Sequence, residues 1–327
     1  MKKITLVLLS FFIAFSGIMF FGCKNKNVIR INEVTHSIFY APMYVAINNG
    51  YFKEYGYEIE LTNGGGSDNS MTALLSGSAD VALLGPETGV YVNAGGKQNA
   101  PMIFGQLTKR DGSFLVGKVN EPDFKWENLK NKHVIAGRKG GSPAMSLQYA
   151  IEKNGLNIET DLNFDLSVAF NMTVGAFTGG TADYVTVFEP TASELVRENK
   201  GYIVASVGQE SGEIPFTCFM ANQNYIKNNE EKLENFLKAI KKAYDFIMNS
   251  DIDEVVKSLK PSFATSTDKS IKASIISYKN IDAWCSTPVM TETSYNRLLD
   301  MLEGAGELTT RVEYNKVVDN TIANKIK

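Results

Sequence analysis

The sequence predicts an α/β protein of two lobes, each a mainly parallel sheet flanked by helices, with a ligand cleft between the lobes. Three observations predict it. The chain has 327 residues, more than one core comfortably organises. Strand-like and helix-like runs alternate up to Pro190, the rhythm of a parallel sheet with covering helices. The rhythm also occurs twice. "MTALLSGSADVALLGPE" (71–87) and "MTVGAFTGGTADYVTVFEP" (172–190) share the order Met-Thr, helical spacing, a Gly-containing stop, Ala-Asp, an apolar strand, then Pro with Glu.

Each element follows from local chemistry. "VIRINEV" (28–34) alternates and is β-branched, so it reads as a strand. Pro42 then suits a first helical turn, and "MYVAINNG" closes at Gly50. "YEIELTN" (57–63) is the second strand. Gly64-Gly65-Gly66-Ser67 leads into a helix expected to begin near Asp68 or Asn69. In the second copy "HVIAG" is the first strand, and Ser142 at the N-cap with Pro143 at the first helical position opens a helix ending at Asn154-Gly155. "LNFDLSV" (162–168) follows as a strand. "YIVASVG" (202–208) and "IPFTCFMAN" (214–222) are further strands, the second returning to the first lobe. From Tyr225 onward the apolar spacing is helical, and Trp284 is expected in the core. The expected division is 28–115 for the first lobe, 116–212 for the second, and 213–327 for helices completing the first.

The N-terminus carries a different message. Lys2 and Lys3 precede an apolar run from Ile4 to Phe21 and then Gly22-Cys23, the pattern of an export signal. An uncleaved membrane anchor is the alternative for a run of this length. Phe20-Phe21-Gly22-Cys23 resembles a bacterial lipobox, which implies a signal segment at 1–23, lipidation of Cys23 and a polar tether at 24–27. The remaining cysteines, Cys218 and Cys285, allow one disulfide or two buried thiols.

Several function classes are excluded. Net charge is −3 with no long basic block, so a nucleic-acid surface is not expected. Lys109-Arg110, partly cancelled by Asp111, reads as a solvated turn. No Cys/His cluster has metal-ligand spacing, no Ser/His/Asp set is recognisable, and no cofactor is implied. "GRKGGSP" lacks the Gly-Lys-Ser/Thr ending of a P-loop, and its Pro breaks a dinucleotide fingerprint.

Ligands of open parallel sheets bind beyond the carboxyl ends of the strands. That rule selects six loops and their chemically apt residues. The first lobe contributes His36, Ser37, Phe39 and Tyr40, then Gly65, Gly66 and Ser67, then Pro86 and Glu87. The second contributes Arg138, Gly140, Gly141 and Ser142, then Asn171, then Phe188 and Glu189. The Gly-rich turns let backbone N–H groups approach an anion, Arg138 offers a bidentate partner, and the aromatic residues offer a wall. Glu87 and Glu189, at matching places in the two copies, can accept from a ligand amine. His133 begins a strand and reads as structural.

Taken together, "HSIFYAPMYVAINNGYFKEYGYEIEL", "LLSGSADVALLGPE" and "LKNKHVIAGRKGGSPAMSLQYAIEKNGL" with "TADYVTVFEP" carry a resemblance. The chain from about residue 28 onward resembles the periplasmic-binding-protein fold (type II). Specifically, it resembles the substrate-binding proteins of nitrate/sulfonate/taurine and thiamine-pyrimidine ABC importers. The resemblance implies two hinged lobes that close on a small solute and deliver it to a membrane permease. It implies an anion on the loop Lys139 to Ser142 in a sulfonate binder, and a flat ring against Phe39-Tyr40 in a pyrimidine-precursor binder. The expected function is therefore a monomeric, lipid-anchored, extracytoplasmic binding protein for a small organic anion or zwitterion. An enzyme on the same fold, of the pyrimidine-synthase or menaquinone-pathway type, is the alternative, and the export signal counts against it.

Overall fold

The computed structural model describes residues 27–326; the expected export segment, Cys23 and most of the expected tether lie outside them. The first sheet takes β1 (Val28–Glu33), β2 (Glu58–Asn63), β3 (Val81–Leu84) and β4 (Pro101–Thr108). The second takes β5 (Ser113–Gly117), β6 (His133–Ile135), β7 (Asn163–Asp165), β8 (Tyr184–Phe188) and β9 (Tyr202–Ser206). A return strand, β10 (Thr217–Asn222), rejoins the first sheet. The orders are β2-β1-β3-β10-β4 and β7-β6-β8-β5-β9, the same topology twice.

In each sheet three strands run parallel, and the fourth, β10 or β5, is antiparallel to both of its neighbours. The fifth strand therefore runs with the first three. That antiparallel strand is always the first one formed after the chain crosses between sheets. The expected lobe break at 115/116 falls inside β5, whose whole length pairs with β8. The chain crosses earlier, at 109–112, because Ser113 is already in register with Phe188.

The repeated Ala-Asp pair has a structural job that explains its recurrence. The Asp80 carboxylate accepts from the backbone N–H of Arg30 on β1, at 3.1 Å. Asp183 does the same for His133 on β6, at 2.9 Å. Both pairs are separated by 50 positions. Each aspartate also donates its own backbone N–H to the same partner's carbonyl, at 2.8 Å in both lobes. Each thus ties the turn between a helix and its following strand to the neighbouring strand, β1 or β6.

Helices cover both sheets. The first lobe carries α1 (Ala41–Asn48), α2 (Tyr51–Glu54), α3 (Ser67–Leu75) and α4 (Glu87–Ala94). The second carries α5 (Ser142–Lys153), α6 (Thr173–Gly179), α7 (Thr191–Arg197) and α8 (Val207–Ser211). Then come α9 (Gln223–Asn228), α10 (Glu230–Asn249), α11 (Ile252–Leu259), α12 (Asp268–Asn280), α13 (Glu292–Gly304) and α14 (Tyr314–Val317). Of these, α10 packs on α1 and α2, α11 on α1, and α14 on β4, all in the first lobe. By contrast α12 also touches α7, and α13 touches α5, so this tail reaches both lobes.

Two apolar cores result, and the larger one runs through the lobe junction. Phe39 is fully buried with Phe188, Phe216 and Tyr278 around it, at ring-centroid distances of 5.5, 5.8 and 5.1 Å. Trp284 is buried beside them and donates its indole N–H to the Phe39 carbonyl at 2.8 Å. The smaller core, around Leu147, Ile151, Leu129 and Tyr184, belongs to the second lobe.

The crossing overturns one expectation. Lys109-Arg110-Asp111 is not a solvated turn: Asp111 is fully buried, and the Arg110 Nε is shielded from solvent. The reason is that the outward and return crossings lie against each other. A Cβ added to Gly208 would fall 1.9 Å from the Asp111 carbonyl oxygen, so only glycine lets them meet. Lys109 alone reaches out, pairing with Asp282 at 2.7 Å. Cys218 and Cys285 are free thiols, the first buried in β10.

Candidate functional site

The loops after β1, β2, β3, β6, β7 and β8 converge from the two sheets on one cavity of about 170 Å³. Parallel strands of both lobes end here, so backbone groups and helix starts point inward from two sides. The cavity is smaller than the roughly 300 Å³ at which typical ligand pockets begin, so in this arrangement it takes a small solute.

Ten of the sixteen expected residues line it: Tyr40, Gly65, Gly66, Ser67, Glu87, Arg138, Gly141, Ser142, Asn171 and Phe188. Gly66 is the N-cap of α3, which begins at Ser67, one residue ahead of the expected start. Gly141, rather than Ser142, is the N-cap of α5. Ser142 is already inside the first turn, and its hydroxyl is not used to cap the helix. It crosses the cleft and donates to Glu87 Oε2 at 2.6 Å.

That bond joins the lobes at a buried point. Glu87, the first residue of α4, is 1% exposed. Burial pushes its carboxyl above the usual range, and the bonds from Ser142 with the nearby Arg138 charge act against that rise. Arg138 pairs across the cleft with Asp68, Nε to Oδ1 at 3.3 Å. Both side chains are substantially exposed, so this second tie is worth at most about 1 kcal/mol. A third runs from the Tyr91 hydroxyl to the Gly140 carbonyl at 3.0 Å. The remaining wall is aromatic, with Tyr40, Phe170, Phe188 and Phe216, and Thr186 and Thr217 are set into it.

Six expected residues sit elsewhere, each for a visible reason. Phe39 lies behind the wall, filling the junction core. Ser37 accepts from Phe39 N–H at 3.1 Å and donates to the Glu189 carbonyl at 2.6 Å, so it is spent on the junction. His36 turns away to Glu33 Oε1 at 3.0 Å and the Ser262 carbonyl at 2.8 Å, where it ties β1 to the loop after α11. The Glu33 carboxylate raises the imidazole pKa despite partial burial. Pro86 serves as the N-cap residue of α4. Gly140 faces Tyr91 and Glu307 at the outer rim. Glu189 binds Ser193 one turn on, through its N–H at 2.9 Å and its hydroxyl at 2.8 Å.

Sequence reasoning missed Asp68, Phe170, Thr186, Phe216 and Thr217 as lining residues. Thr186 and Thr217 lie within strands rather than in the loops beyond the strand ends. A threonine interrupting the apolar runs "YVTVF" and "FTCF" was the available signal. His133, as expected, is structural, pairing with Asp165 at 3.2 Å.

Comparison with known proteins agrees with this architecture. Residues 34–259 match the sequence model of the NMT1-like family. The chain is 38% identical over 308 residues to YtlA of Bacillus subtilis (strain 168), provisionally designated a binding protein. That match covers 93% of this chain and 92% of YtlA. Among solved structures, the alkanesulfonate-binding protein SsuA from Xanthomonas axonopodis pv. citri, bound to MOPS, superposes with a TM-score of 0.71 at 16% identity. The superposition covers 90% of this chain and 98% of that one. The periplasmic nitrate-binding protein NrtA from Synechocystis PCC 6803 gives 0.70 at 16% identity, over 92% and 86% of the two chains. These likenesses show the two-lobed periplasmic-binding-protein fold.

Proposed function

The chain belongs to the NMT1-like family, and from that membership we propose that it is the extracytoplasmic solute-binding component of an ABC importer. Its cargo is a small organic anion or zwitterion, taken between the lobes and passed to a membrane permease. The observation that carries this reading is the single cavity formed by strand ends of two like-ordered sheets, with Glu87, Ser142, Arg138 and Asp68 meeting across it. Such a cleft binds by closure. One helix N-terminus supplies about 0.3–1 kcal/mol, whereas micromolar affinity needs about 8. Both turns, the hydroxyls, the aromatic wall and lobe closure must therefore act together.

The chain is further proposed to be a monomer anchored by lipid at Cys23, the reading supported by the lipobox-like end of the apolar segment. A Cys23→Ser chain is expected in the soluble fraction or held only by an uncleaved segment, checked by cell fractionation and N-terminal mass. The four-ring wall also favours a second cargo class, a thiamine-pyrimidine precursor whose flat ring lies against that wall.

Calorimetric titration of the purified chain tests the reading. Alkanesulfonates, taurine, sulfur amino acids, nitrate and pyrimidine precursors form the panel, beside mass spectrometry of any solute carried through purification. Saturable binding by one class, weakened in Gly141→Val, is expected. A chain that turns one of these compounds over, with no tight binding, would instead support an enzyme on this fold.

A further inference from the structure

The carboxylate of Glu87 sits where a bound anion would be expected. The first turn of α5 points its Ser142 hydroxyl at Glu87 Oε2, and the pair is buried. The neighbouring sequence is built to hold that carboxylate inward. A Cβ added to Gly85 would lie 2.1 Å from Glu87 Oε2 and 2.4 Å from Oε1. The carboxylate thus folds back over the end of β3, and any other residue at 85 would push it out.

The charge around it points the same way. Among the described residues lining the cavity, the ionisable acids are Asp68 and Glu87 and the one basic side chain is Arg138, already paired with Asp68. A bare oxyanion entering at α5 would have to displace the Glu87 carboxylate and leave it buried without its donor, a costly arrangement. A solute N–H group would add a donor to that carboxylate and displace nothing. Burial pushes the carboxyl pKa upward, and an ammonium group beside it would act against that rise by favouring the ionised form.

Resting on the solute-binding reading above, we infer that Glu87 is the specificity-determining residue of the cleft. It selects solutes carrying an amine or amino-substituted ring and rejects otherwise identical solutes without one. An anionic group on the same solute would face the Gly65-Gly66 turn and Arg138 instead, with Arg138 exchanging Asp68 for it.

Matched pairs test this: ethanesulfonate with taurine, propionate with β-alanine, and pyrimidine with 4-aminopyrimidine, each titrated calorimetrically into the full chain in detergent. The aminated member of at least one pair is expected to bind at least tenfold more tightly. Glu87→Gln should compress that preference to less than threefold at an unchanged melting temperature. Ser142→Ala should weaken both members yet keep their ratio. Equal or tighter binding of the members lacking an amine, or a preference untouched in Glu87→Gln, overturns the inference while leaving a solute-binding protein. No heat from any pair, and no solute released when the native protein is denatured, overturns both readings together.

Discussion

Glu87 and Glu189 occupy matching places in the two halves of the chain, and the fold has given them opposite tasks. Both follow the third strand of their sheet and both are 1% exposed. Glu87 sends its side chain across the cleft to a serine of the other lobe, at 2.6 Å. Glu189 keeps its side chain within its own lobe, on Ser193. It is the Glu189 backbone that joins the lobes, accepting from Ser37 and donating to the Tyr278 hydroxyl at 2.8 Å. Behind the cleft the junction is made of fixed backbone bonds and packed rings. In front of it the junction is a few side-chain contacts across the cleft. Duplication of a topology therefore does not duplicate a binding group; what the carboxylate faces decides its role.

Breaking the rear junction should have the largest effect. Phe39→Ala removes a fully buried ring from the contact between lobes and is expected to cost about 3–5 kcal/mol in urea unfolding. A cost near that of a surface substitution would show that the rings are not what holds the lobes together.

Asp111, in the outward crossing, comes next. Burial pushes its carboxyl up to about 7, far above the roughly 3.9 of an unfolded chain. A raised acid favours the folded state only while protonated, so stability should fall as pH rises from about 4 through about 7. Asp111→Asn should remove that slope and stabilise the protein at neutral pH by a few kcal/mol, on the order of 1.4 per pH unit separating the two values. At pH 4 it should change little. Unfolding curves across this range check the sign.

The comparison between the two carboxylates can be sharpened with their two serine donors. Ser193→Ala leaves Glu189 short of a donor and should cost about 1 kcal/mol of stability with solute affinity unchanged. Ser142→Ala should cost a similar amount of stability and lower solute affinity as well. If both act on stability alone, the cleft contact is only another junction bond.

The smallest effect belongs to His36. Its pKa is raised by Glu33, so its contribution is complete below the unfolded value near 6.5 and is lost as pH rises through the folded value. Because the side chain is 44% exposed, the change is small. It should be absent in His36→Gln, read from melting temperatures at pH 5.5 and 8.5.

Much of this molecule was legible along the chain. The strands other than β4 and β5, the two copies, the helix starts near Ser67 and Ser142, and the loops that meet in the cleft follow from periodicity, capping chemistry and Gly placement, which act over a few residues. The family membership was visible in the same segments. What local pattern did not reveal is which way a loop residue turns. His36, Ser37 and Phe39 stand in the right loop, yet they are claimed by Ser262, Glu189 and Phe188, partners far away in sequence. Lys109-Arg110-Asp111 reads as a surface turn by charge, but two chain crossings bury it. Thr186 and Thr217 reach the cavity from strands that looked like plain core. The sequence by itself determined the elements and their repetition, because backbone preference and side-chain period are local. Only the tertiary structure decided which groups face the cleft, because burial and pairing depend on residues that meet only after the lobes have packed.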